Sequence, residues 1–260
     1  MELNYHRAGA GEPLLLVHGL GSRWQVWEPV IAPLEQGREV IAIDLPGFGA
    51  SPMPPPGTPP GPASMTRLVG AFLDRLGVQA PHVAGNSLGG QVALELAKRG
   101  LARTATALDP TGFHNEREAV YQRASLSTTL RAARLLAPVA ELVLRPSLGR
   151  RLAFAQTAAH PERIPLPNAV GALRAFATAP WFDATMPAVT AQPFVGGEAI
   201  EVPVTIAWGD RDLLLLPRQA PRAGRAIPGA RLVTLRDCGH VPMFDDPVQV
   251  AAVLLEGSSR

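Results

Sequence analysis

Between Leu14 and Val83 the chain alternates short, wholly apolar runs with longer amphipathic ones: LLLV, WQVWEPVIAPLEQ, EVIAI, SMTRLVGAFLDRL and HVAG. Few architectures satisfy that pattern. A strand apolar at every residue has to be covered on both faces, and a helix following each strand supplies the cover, so the stretch specifies a parallel sheet between two helical layers. The alternation resumes with QVALELAKR as a helix, then TATAL, VPVTIAW and RLVTLR as strands, and a last helix from about Val248 to Leu255. ELNYHR is expected to add an edge strand. The fold class is α/β, with a mostly parallel central sheet flanked by helices.

Two stretches interrupt the alternation. Ser51 to Ser64, SPMPPPGTPPGPAS, has too many prolines for a helix or sheet interior and reads as a rigid surface loop entering a helix near Ser64. From about Phe113 to Phe194 helical patterns follow one another with no strand between them, as in EREAVYQRASLSTTLRAARLLAPVAELVL and PNAVGALRAFA. This predicts an all-helical cap, residues 113–194, inserted into a core made of residues 1–112 and 195–260. The first half of the cap is basic, with Arg117, Arg123, Arg131, Arg134, Arg145, Arg150 and Arg151. A solvated helical face is the simpler reading of that charge, and an entrance that attracts anions is the other.

Composition removes several function classes. The formal net charge is only +2, and no basic run is interleaved with aromatics, so nucleic-acid binding is not expected. Cys238 is the single cysteine, which leaves no intrachain disulfide and no cysteine-based zinc site. The apolar runs, such as LLLV at 14–17 and LLLL at 213–216, fall well short of the roughly 18 residues of a membrane span. Nothing in MELNYHRAGAGEP reads as a secretory signal, and a cytoplasmic protein is expected.

Residues 82–90, HVAGNSLGG, place Ser87 between a strand and a helix, with Gly85 and Gly89 two residues away on either side. This is the G-x-S-x-G pattern in its strand-to-helix context. A tight turn there forces the serine into a strained backbone conformation, and side chains at the flanking positions would collide. Gly90 then lets the helix approach the sheet. A serine hydroxyl needs a base, and of six histidines only His240 follows the last strand in a loop at the carboxyl end of the sheet, where catalytic groups of open α/β sheets collect. A carboxylate at another strand end should orient it. Asp212 is favoured, with Asp109 second and Asp210 third. His18-Gly19-Leu20-Gly21 turns after LLLV, and the amides of Leu20 and Leu88 are the expected oxyanion donors. The His18 ring is expected to brace that turn.

With VHGLG after a strand, then IDLPGFGAS, GNSLGG, WGDRD and CGHVPMFDDP in order, nearly the whole chain resembles the α/β-hydrolase superfamily, in its branch with a helical cap. In that family the acid is the second carboxylate of a G-x-x-D pattern, which Gly209 and Asp212 match, and the segment holding Asp44 and Gly47 is a structural turn. Relative to the family the chain starts late, leaving a first hairpin strand in doubt, and its proline loop is long. The resemblance implies a serine hydrolase cleaving a carboxylic ester or a related small acyl substrate through Ser87, His240 and Asp212, with no metal and no organic cofactor. Phe113, Trp181, Phe182 and Met243 are candidate walls of the substrate pocket. A carbon–carbon bond hydrolase of ring-cleavage products and a cofactor-free perhydrolase use the same triad, and a non-catalytic ligand receptor on the hydrolase scaffold is the alternative from another class.

Overall fold

A computed structural model describes residues 1–259. Its sheet has seven strands: β1 (Tyr5–Ala8), β2 (Glu12–Val17), β3 (Arg38–Ile43), β4 (His82–Asn86), β5 (Thr104–Leu108), β6 (Val204–Gly209) and β7 (Arg231–Leu235). They lie in the order β1-β3-β2-β4-β5-β6-β7, and only β1 runs antiparallel to its neighbour. Alternate residues of one strand feed two different cores, as a two-residue period requires. Leu15 and Val17 pack on one side with Ile41, Ile43 and Val83, while Leu14 and Leu16 pack on the other with Val40, Ala42 and Ala84.

Helix α1 (Glu28–Leu34) follows β2, α2 (Pro62–Leu76) precedes β4, and α3 (Leu88–Lys98) follows it. Helix α2 starts two residues before Ser64, inside the proline-rich stretch. Pro62 costs nothing in the first turn, whose amides have no partner within the helix. Between β5 and β6 the chain forms α4 (Glu116–Leu136), α5 (Ala140–Leu144), α6 (Ser147–Phe154), α7 (Leu166–Thr178) and α8 (Phe182–Ala191), with no strand among the described residues. The helical pattern running from Glu116 to Leu144 is broken by a 3-10 turn over Ala137–Val139, where Pro138 lacks the amide needed to continue. These helices have a core of their own, including Ala133, Leu144, Ile164, Ala169 and Leu173. The short α9 (Ala220–Ala226) and the final α10 (Pro247–Gly257) complete the layers. No helix among the described residues is long and apolar enough to cross a membrane.

The register decides where chemistry gathers. Val17 lies beside Gly85, Asn86 beside Leu108, and Leu108 beside Ala207. The segments leaving β2, β4, β5 and β6 therefore emerge along one edge, which carries the Gly19 turn, Ser87, Asp109 and Asp212.

Candidate active site

Ser87 holds φ 59° and ψ −119°, a backbone conformation that L side chains rarely adopt. The glycines around it permit this. A Cβ on Gly85 would stand 2.1 Å from the Gly89 carbonyl oxygen, and one on Gly89 would stand 2.0 Å from that of Val17. The turn is fastened by the Ser87 amide, which donates to the Leu108 carbonyl (2.9 Å), and by its own carbonyl, which accepts from Gln91 and Thr111. Its hydroxyl has no hydrogen-bond partner among the described residues. Ser87 and His240 line the same cavity.

His240 Nδ1–H donates to Asp212 Oδ2 at 2.7 Å, leaving Nε2 as the nitrogen free to take a proton. Asp212 is held in turn, because its Oδ1 accepts the amides of Leu214 and Leu215, both at 2.8 Å. Asn86 Nδ2 donates to the His240 carbonyl (2.8 Å) and so ties the histidine loop to the residue before the nucleophile. Asn86 carried no expectation from sequence; its signal was its place inside the G-x-S-x-G motif.

The two other acids are placed differently. Asp210 is exposed. Asp109 is buried, accepts the Gly209 amide through Oδ1 (2.7 Å), and leaves Oδ2 without a partner. Asp109, Asp212 and His240 each bring one ligand-type atom within 4.8 Å of the others, the one such grouping among the described residues. Both oxygens of Asp212 are already taken, Oδ1 by two amides and Oδ2 by the imidazole N–H, so hydrogen bonds hold its place in the group. Burial, and then the Asp212 charge, push the Asp109 carboxyl well above the usual carboxylate range.

Other nucleophile and base candidates are occupied elsewhere. His18 Nδ1–H donates to the Gly19 carbonyl (2.7 Å) and Nε2 accepts the Leu45 amide (2.9 Å), while burial favours its neutral form. It therefore braces the turn. Asp44 accepts the Trp24 and Ala50 amides and the Asn4 side chain, a structural role. The Cys238 thiol is buried and pushed up to about 12, chiefly by that burial, so it is no nucleophile at neutral pH.

The Gly19 turn sits against the nucleophile: a Cβ on Gly19 would lie 3.1 Å from that of Ser87. Among the described residues, neither the Leu20 nor the Leu88 amide donates to another protein group, which leaves both N–H groups available beside the serine.

The cavity of ≈430 Å³ falls in the range of small-molecule sites. Its walls are largely apolar, with Leu126, Leu136, Leu173, Phe176 and Leu214, and Gln122 and Thr190 supply polar atoms. Phe113, Trp181, Phe182 and Met243 are not among them, and the pocket expected from sequence is corrected on this point. Phe113 packs on Phe194 with ring centroids 5.6 Å apart, Trp181 covers Gly47, and Met243 belongs to the α1/α10 core. Phe182 stands one layer behind the wall, edge-on to Phe176 at 4.9 Å. Aromatic residues at helix ends turned toward the nearest glycine turn or core, a choice that composition does not record.

The chain matches the alpha/beta hydrolase family over residues 14–253. It is 30% identical, over 98% of its length and 66% of the relative's, to the dihydrolipoyllysine-residue acetyltransferase component of the acetoin cleaving system of Cupriavidus necator. That share is just under two thirds of the relative. Over a shorter stretch, 38% of the chain and 37% of the relative, it is 38% identical to the 2-hydroxy-6-oxo-2,4-heptadienoate hydrolase of Pseudomonas putida. Among solved structures, the enol-lactonase of Burkholderia xenovorans superposes with a TM-score of 0.80 at 20% identity, covering 99% of this chain and 96% of that one. A seven-stranded sheet in this order, a strained serine at the end of its fourth strand and a family match across nearly the whole length agree: the chain belongs to the alpha/beta hydrolase family.

Proposed function

We propose that the protein is a serine hydrolase acting on a carboxylic ester or related acyl compound through a covalent acyl-enzyme, with helices 113–194 roofing the site as a cap. The observation that carries this reading is the union, in one apolar cavity, of a strained Ser87 with a His240 whose far nitrogen is bonded to Asp212 at 2.7 Å. Ser87 Oγ attacks the acyl carbonyl as His240 Nε2 takes its proton. The imidazolium so formed is stabilised by Asp212, and the Leu20 and Leu88 amides receive the oxyanion. Collapse expels the alcohol with the proton from His240. Water, deprotonated by the same nitrogen, then releases the acid and restores the hydroxyl.

Ser87→Ala should abolish labelling by a serine-directed phosphonate and lower kcat for chromogenic esters by on the order of 10⁴-fold or more. Labelling that persists in this variant would put the nucleophile elsewhere. The stretch resembling a 2-hydroxy-6-oxo-2,4-heptadienoate hydrolase favours one second reading, carbon–carbon cleavage on the same triad. Turnover of a vinylogous diketone with no turnover of any ester would replace the ester reading by that one, and tight ligand binding without either reaction would make the protein a receptor.

A further inference from the structure

The insertion gathers exposed apolar side chains on one stretch. Leu135, Val139 and Leu142, spaced by four and three residues, run from the end of α4 into α5, and Leu148 and Leu152, four apart, stand on α6. The spacing of four puts Leu148 and Leu152 on one face of α6. Leu135, Leu142 and Leu152 are 80%, 74% and 74% exposed, and Leu148 is 63% exposed. Helix α6 buries no residue at all. Exposed apolar residues scattered singly need no explanation, whereas a cluster does.

The cluster surrounds an opening. Leu136, Val143, Gly149 and Leu152, from the same three helices, line the cavity that reaches Ser87. Leu152 both lines that cavity and is largely exposed, so the cavity opens within the leucine patch. The surrounding charge is cationic. Arg131, Arg134, Arg145 and Arg151 lie on this stretch, and with Asp183, Glu141 and Glu162 counted as partners the face remains positive by one, carried by Arg131. Arg150 is used internally, tying α6 to the Leu144 and Arg145 carbonyls. The pairs of Arg134, Arg145 and Arg151 are among solvent-exposed side chains, weak enough to be exchanged for phosphate oxygens. A second copy docked through the same face would bring two cationic faces together.

We propose that this leucine face, which borders the cavity and is interspersed with arginines of the same helices, seats the protein peripherally on an anionic lipid surface, so that the acyl chain of an amphiphilic ester passes into the cavity without crossing water. The identity of the substrate rests on the hydrolase reading above; the docking rests on the surface alone. Apolar side chains enter the headgroup boundary while guanidinium groups meet anionic headgroups, the division of labour of an interfacial helix.

The test separates the two parts. The full-length Ser87→Ala chain, which needs no chemistry to report, is sedimented with vesicles of phosphatidylcholine with or without phosphatidylglycerol. It should bind the anionic vesicles, release them as salt is raised, and bind roughly tenfold or more weakly once Leu142→Ser and Leu148→Ser are added. Neither residue lines the cavity, so the double variant in the native background should hydrolyse a short monomeric ester as the wild type does while losing activity on long-chain ester carried in vesicles. Equal binding to both vesicle types, unchanged binding by the double variant, or a dimer in sedimentation equilibrium that the double variant dissolves would each overturn the docking. Vesicle binding of the expected kind with no turnover of any ester would overturn the hydrolase reading and support the docking.

Discussion

At the ends of β5 and β6 two carboxyl groups share one buried corner, and their partners divide the charge between them. Asp212 has two amides and an imidazole N–H directed at it, whereas Asp109 has the Gly209 amide alone. Burial and the neighbouring Asp212 charge both favour the protonated form of Asp109, whose Oδ2 has no hydrogen-bond partner. For an acid whose folded-state value lies above its unfolded 3.8, stability is fully present below 3.8 and declines as pH rises through the window up to the folded value. Asp109→Asn removes that decline, and Asn tolerates the φ of 45° found here. The Tm of Asp109→Asn relative to wild type should therefore rise as pH is increased above about 4. A difference flat from acid to neutral pH would mean that Asp109 is not held protonated. Both acids stand at strand ends in the sequence, which ranked Asp212 above Asp109 without excluding it, and the direction of each side chain separates them; the family's G-x-x-D pattern bore on the neighbouring Asp210.

The helices between β5 and β6 are anchored to the sheet-bearing part of the chain by residues far apart in sequence. Asn115 and Glu118 form a reciprocal cap at the start of α4, with the Asn115 side chain accepting the Glu118 amide (3.0 Å) and Glu118 Oε2 accepting that of Asn115 (2.9 Å). The same carboxylate receives Arg218 at 2.7 Å and Arg222, the second on α9 and the first just before it. Burial works to raise the Glu118 carboxyl, but the amide and the two guanidinium groups outweigh it and hold the group below its usual 4.5. Its contribution is therefore present above 4.5 and fades as pH falls through the lowered value. Glu118→Gln should destabilise the fold by about 2 kcal/mol at neutral pH, discounted from a fully buried pair because Arg218 is largely exposed. In urea titrations that deficit should shrink toward acid pH; a pH-independent deficit would assign the effect to packing. The Asn-x-x-Glu cap is a local pattern. Its arginine partners are not local, since they stand about 100 residues away along the chain.

Across the whole molecule, one side chain links the helical insertion to the loop that carries His240. Asp245 accepts the amides of Ala159 (2.9 Å), His160 (2.8 Å) and Gly239 (2.8 Å). Asp245→Ala strands three amide donors, each costing about 1–3 kcal/mol when buried and unpaired, so a loss of about 3 kcal/mol or more is expected in denaturant unfolding. Amide exchange should quicken at Ala159, His160 and Gly239 together, and kcat for esters should fall with His240 less well held; exchange confined to one of the two segments would show that they move separately. The strand and helix order, the covered parallel sheet, the strand-free helical stretch between β5 and β6, and the strained turn at Ser87 were determined by the sequence itself. They depend on two-residue and helical periods and on glycines next to the residue they relieve. Tertiary structure alone decided which residues wall the cavity, where it opens among the leucines of α4 to α6, and how the helices between β5 and β6 are pinned. Those outcomes turn on contacts between segments tens to hundreds of residues apart, and on which way a side chain faces once the segments have packed.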